Sequence, residues 1–130
     1  MKLLLDTHVA IWMTSAPERI PRHLHLFLED TYPNVFVSVA AVWEIAIKHP
    51  LGRPDAPPLS GHQAIAEFES AGFVLLDVTA AHAAFVERLP LYHGDPFDRL
   101  MLAQAIVENM QFMTYDRHLA RYEVGLLTWP

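Results

Sequence analysis

The sequence predicts an α/β fold in which a mostly parallel sheet is covered by helices on both faces. Two observations carry that expectation. Short apolar runs bounded by breakers alternate with segments of helical period along the chain. Those runs are apolar throughout, as strands buried on both sides are, and parallel neighbours need helical crossovers between them. With 130 residues, 52% of them hydrophobic, a single domain spanning 1–130 can bury a sizeable core.

Leu3 to Leu5 reads as the first strand, followed by a helix over His8 to Met13. Val35 to Val37 is the second strand, and Val39 to Lys48 the helix after it. The segment His49 to Gly61 carries Pro50, Gly52, Pro54, Pro57, Pro58 and Gly61, which makes it a loop between helices. His62 to Ser70 has helical period, Phe73 to Leu76 reads as a strand, and Ala80 to Arg88 as a helix. Pro96 to Asn109 is the last helix, Phe112 to Thr114 the fourth strand, and Leu126 to Trp129 a fifth.

Composition narrows the chemistry. The chain has no cysteine, so any metal must be held by oxygen or imidazole, which favours hard cations. No apolar run approaches the ~20 residues of a membrane span, and Lys2-Leu3-Leu4-Leu5 meets Asp6 too soon for a signal peptide, so a cytoplasmic protein without membrane contact is expected. A net charge of −6 argues against a broad basic surface, although nine lysines and arginines suffice for a local patch.

In open α/β sheets ligands bind beyond the carboxyl ends of the strands, which directs attention to Asp6 after the first strand and Asp116 just past the fourth. Each has a plain alternative as a helix cap. Asp95-Pro96-Phe97-Asp98 reads as an N-cap, a proline at the first helical position, and an acid favoured by the helix dipole; Asp98 would also project toward the strand-end rim. Glu44 sits in Val42-Trp43-Glu44-Ile45-Ala46-Ile47, a helix apolar nearly all round, where a lone acid needs a partner. Lys48, four residues on, is the plain one.

The four acids together say more than each alone. Two carboxylates ~5 Å apart at an effective dielectric of ~20 repel by about 3 kcal/mol. A domain stable by roughly 5–15 kcal/mol cannot carry several such terms unrelieved, so protons or a divalent cation, Mg²⁺ or Mn²⁺, must neutralise the cluster. Such an ion would suit phosphodiester hydrolysis by activated water. No Gly-x-Ser-x-Gly elbow, phosphate loop or dinucleotide fingerprint is present to support another chemistry. The eight histidines are scattered, with His8 and His93 nearest the proposed site. Trp12, Trp43 and Trp129 read as core residues. Arg99 and Arg117, each beside an acid, are the candidates for steering a phosphate backbone, with surface charge balance as the alternative.

These residues carry a family resemblance over nearly the whole chain. Leu3-Leu4-Leu5-Asp6-Thr7-His8, Trp43-Glu44-Ile45-Ala46-Ile47-Lys48, the long segment from Leu89 through Asp95-Pro96-Phe97-Asp98-Arg99 to Ala105, Thr114-Tyr115-Asp116 and Tyr122-Glu123-Val124 resemble the PIN-domain ribonucleases. The likeness is specifically to the VapC-type toxins of bacterial type II toxin–antitoxin pairs. The resemblance implies a three-layer α/β/α sandwich and a Mg²⁺-dependent endoribonuclease, with Asp6, Glu44, Asp98 and Asp116 as catalytic metal ligands. Thr7 and Thr114 join Arg99 and Arg117 as substrate-binding candidates. It further implies a homodimer and a VapB-type antitoxin that blocks the site. Ala41 departs from the pattern, because relatives often carry a serine there that would support Glu44. Two other readings stand beside this one: a PIN-like interaction module without catalysis, and a phosphatase using Asp6 as nucleophile, which lacks the expected second aspartate where His8 stands.

Overall fold

The computed structural model describes residues 2–31, 34–122 and 126–127, with the side chain of residue 31 and those beyond 122 left out. Strand β1 (Leu3–Leu5) is wholly buried, which explains why three successive leucines occupy it: both faces are covered, so neither needs polar side chains. It lies at the centre of a five-stranded sheet with β2 (Val35–Ser38) and β3 (Val74–Leu76) on one side, and β4 (Gln111–Met113) and β5 (Leu126–Leu127) on the other. Every pairing is parallel, with Leu5 opposite Val37 and Met113.

Among the described residues six α-helices cover the sheet: α1 (Thr7–Ser15), α2 (Arg22–Thr31), α3 (Val39–Lys48), α4 (Gly61–Ser70), α5 (Ala80–Phe85) and α6 (Pro96–Val107). The chain runs outward from β1 through β2 to β3, then returns across β1 to β4. Right-handed crossovers in opposite directions place their helices on opposite faces, giving the three-layer sandwich. The reversal between β1 and β4 creates a topological switch point at their carboxyl ends.

Local chemistry starts and stops these helices. Ser38 Oγ accepts the Ala40 amide and caps α3, and Ser60 with Gln63 forms a reciprocal capping box on α4. Helix α4 approaches α3 closely at Gly61, where a Cβ would stand 3.0 Å from Ala46 Cβ. Asp95 accepts the amides of Phe97 and Asp98, with Pro96 opening α6. At the other end of α6 Asn109 adopts φ 55°, and the Met110 amide returns to the Ala105 carbonyl, closing the helix before β4.

Beyond shifts of one or two residues at element ends and a 3₁₀ turn over His49–Leu51 in the expected loop, three differences from expectation stand out. Helix α2 is additional; it buries Leu24 and Leu28, one turn apart, against the core. The segment Ala80 to Arg88 is helical only to Phe85 and then tightens into a 3₁₀ turn over Val86–Arg88. Strand β4 ends at Met113, one residue early, and the hydroxyl of Thr114 donates to Asp6 and accepts the Asp116 amide. Of the expected fifth strand, residues 128 and 129 lie outside the described residues, as do Glu123 and Val124. No helix among the described residues is long and apolar enough to cross a membrane.

Candidate active site

Asp6 is the first residue past β1, and its amide donates to the Met113 carbonyl of β4 at 2.9 Å, which fixes its backbone at the switch point. Although Asp6 occupies the N-cap position of α1, its side chain makes no capping bond. It turns instead into a buried environment, where Oδ2 accepts the Thr114 hydroxyl at 2.5 Å and Oδ1 has no hydrogen-bond partner. Burial raises its pKa, aided by the charge of Glu44 and opposed by Thr114 and His8.

Glu44 comes from the middle of α3 and is only 4% exposed. One oxygen accepts the Thr7 hydroxyl at 2.8 Å, and the other pairs with Lys48. The expected Lys48 pair thus forms, and so does a contact with the site. Burial lowers the Lys48 pKa, but the Glu44 hydrogen bond and charge outweigh it and the net shift is upward.

Asp98 stands in the first turn of α6 with Oδ2 2.7 Å from His93 Nε2. Desolvation, followed by the Asp6 charge, pushes its pKa up from 3.8 to about 7. Asp116 follows β4; its amide donates to Thr114 Oγ1 at 3.0 Å, and its Oδ1 accepts the His118 amide at 2.9 Å. Burial works to raise the Asp116 pKa, but the amide and ring of His118 and the charge of His93 outweigh it and hold it low. Asp116 is therefore both a cap and a site residue.

All four carboxylates line one cavity of about 720 Å³. They arrive from the ends of two parallel strands and from two helices. A buried carboxylate oxygen without a donor, beside a second acid held near neutrality by burial and repulsion, is an arrangement that a cation would complete. The oxygen-rich donor set fits a hard divalent ion.

The PIN domain family matches residues 3–125. The chain belongs to that family. It is 31% identical over 119 residues to Ribonuclease VapC22 of Mycobacterium tuberculosis, covering 90% of this chain and 88% of that one. Among solved structures, VapBC2 from Rickettsia felis bound to a promoter DNA fragment superposes with a TM-score of 0.74 at 16% identity, covering 100% of both chains. DNA-bound VapBC from Salmonella typhimurium gives 0.73 at 16% identity, covering 100% of this chain and 99% of that one. At those identities the structures establish a shared fold.

Within this PIN-domain site, three of the four substrate-binding candidates occupy other posts. Arg99 is a correction: its guanidinium is 8% exposed and donates to the carbonyls of Val86, Leu89, Pro90 and His93 and to Tyr122 Oη. Those bonds engage both terminal nitrogens with the chain behind the site, and Arg99 is not among the residues that line the cavity. Thr7 and Thr114 are both buried, and their hydroxyls donate to Glu44 and Asp6. Only Arg117 of that set is exposed on the cavity, where Arg19 and Lys48 join it. Trp43 is not core but 58% exposed, edge-on to Phe97, while Trp12 forms cavity wall beneath Arg19, whose guanidinium sits 4.1 Å from the ring centroid. Trp129 lies outside the described residues. His93 belongs to the site more firmly than its sequence position suggested, and Arg19 carried no sequence signal beyond its charge.

Proposed function

We propose that the chain is a divalent-metal-dependent endoribonuclease that acts as the toxin of a toxin–antitoxin pair. The observation that carries the proposal is the meeting of Asp6, Glu44, Asp98 and Asp116 on one cavity, with Asp6 Oδ1 left without a donor. The 31% identity to a ribonuclease supports the substrate class, and likeness to proteins solved as VapBC assemblies supports an antitoxin partner.

When bound, Mg²⁺ or Mn²⁺ would supply Lewis-acid activation of a water and of the scissile phosphodiester. The four carboxylates would hold the ion. Thr114 aims Asp6, Thr7 aims Glu44, His93 aims Asp98 and the His118 amide holds Asp116, so each ligand is fixed before substrate arrives. Arg19, Lys48 and Arg117 line the same cavity and offset the negative charge of an RNA backbone. A homodimer is part of the same proposal. Val39, Trp43, Ile47 and Leu51 recur every four residues as exposed apolar side chains along α3 and the turn after it, a surface suited to self-association.

Incubating end-labelled RNA with the chain in Mg²⁺, in Mn²⁺ and in chelator tests the reading. Cleavage should require the ion, and Asp6→Asn or Asp98→Asn should reduce it by about a hundredfold or more, the rate equivalent of ~3 kcal/mol. Cleavage that persists in chelator, or in both variants, would overturn it.

A further inference from the structure

The loop ahead of α6 brings a nitrogen donor to a site otherwise built from carboxylates. His93 Nε2 lies 2.7 Å from Asp98 Oδ2 and 4.0 Å from Asp116 Oδ2. One donor atom from each of the three residues falls within 4.8 Å of the other two, and all three side chains are partly buried.

His93 is held from behind. Its amide donates to Tyr122 Oη at 3.0 Å, and its carbonyl accepts from Arg99 Nη1 at 3.4 Å. Tyr122 Oη in turn donates to the Pro90 carbonyl at 2.8 Å, which Arg99 also reaches at 2.9 Å. The buried guanidinium therefore pins the segment from Val86 to His93 and directs the imidazole toward the two acids. A separate sign that an ion belongs here is Asp6 Oδ1, buried and without a partner on the cavity that Asp98 and Asp116 line. By contrast His118, whose Nδ1 is 2.9 Å from Asp116 Oδ1, has a side chain 90% exposed.

We propose that His93, Asp98 and Asp116 form a mixed nitrogen–oxygen metal site that takes a first-row transition dication of the Mn²⁺ class in preference to Mg²⁺. The proposal rests on the metal-dependent reading above and assigns the ion's identity within it. Mg²⁺ favours oxygen ligands in near-ideal octahedral geometry and sheds its water reluctantly. Imidazole suits the transition metals, whose affinity for nitrogen–oxygen sites rises along the first row from Mn²⁺. On ion binding, the His93 contact with Asp98 is exchanged for a bond from Nε2 to the metal.

Pulsed electron paramagnetic resonance of the full chain loaded with Mn²⁺ alone tests this directly. The wild-type spectrum should show nitrogen hyperfine coupling from a coordinated imidazole, lost in His93→Gln and kept in His118→Gln. A parallel titration should show His93→Gln weakening Mn²⁺ binding by about tenfold or more while Mg²⁺ binding stays close to wild type. The wild-type spectrum needs no variant to fold. If Mn²⁺ binds and Asp98→Asn releases it, yet no nitrogen coupling appears, His93 only orients Asp98 and the inference fails while the metal-dependent reading stands. If the wild-type chain does not bind Mn²⁺, both fall.

Discussion

Asp98 shows how strongly position governs a side chain in this site. Burial and the nearby Asp6 charge raise its pKa from 3.8 to about 7, so the folded, metal-free chain keeps a proton that the unfolded chain has released. A raised folded-state value contributes stability that is fully present below 3.8 and declines as pH climbs through about 7. Thermal melts in chelator should therefore show the wild type losing stability over that window, and Asp98→Asn should flatten the loss. Adding Mn²⁺ should restore more stability at the alkaline end, where the ion no longer competes with a proton. A wild-type profile that rises with pH over this window would contradict the assignment. Arg99 makes the opposite point about adjacency. It follows Asp98 in sequence, but one step along a helix turns a side chain by about 100°, so the acid faces the cavity and the guanidinium faces inward. Arg99→Ala leaves several carbonyls without a donor and should cost about 3 kcal/mol or more in urea unfolding. Arg99→Lys, lacking the planar fork, should recover only part of that.

At the scale of elements, the strands and most helices were readable because burial on both faces leaves unbroken apolar runs. Val39 to Lys48 matches α3 end to end, with Ser38 as its cap. Helix α2 was not readable, since His23-Leu24-His25-Leu26 alternates polar and apolar residues with period two. Leu24 and Leu28 are buried in the core and Phe27 packs against it, whereas Leu26 is 48% exposed. Leu28→Ala should cost about 2–4 kcal/mol by chemical denaturation if α2 packs as described, and almost nothing if it does not. The acids of the site were legible because they follow apolar runs, interrupt an apolar helix or, as Asp98 does, stand in the first turn of a capped helix. Their supports were not, because Thr7 and Thr114 act through bonds across 37 and 108 residues of sequence. Thr7→Val should slow cleavage about tenfold through a misplaced Glu44 without lowering the melting temperature of the metal-free chain by more than ~2 °C. A large fall in that temperature would mean that Thr7 serves the core rather than the site.

For the whole molecule, a net charge of −6 and the proposed nucleic-acid substrate are reconciled by placement. Arg19, Lys48 and Arg117 stand around the cavity, and a metal at the acids would reverse the local sign. Because few cations take part, RNA affinity of the Asp98→Asn chain should fall with salt at a modest slope, near −0.7 per phosphate contacted. The exposed apolar stripe on α3 predicts a dimer that Trp43→Glu weakens, which sedimentation at two concentrations would detect. The cavity itself depends on the sheet order, since only the return across β1 sets Asp6 beside Asp116. Calorimetric titration of Mn²⁺ into the wild type and into Asp6→Asn at a pH above 7 tests the convergence most directly. Heat of binding to the wild type that is absent or about a hundredfold weaker in the variant is the predicted result. Equal binding by the two chains, or none by either, would contradict it.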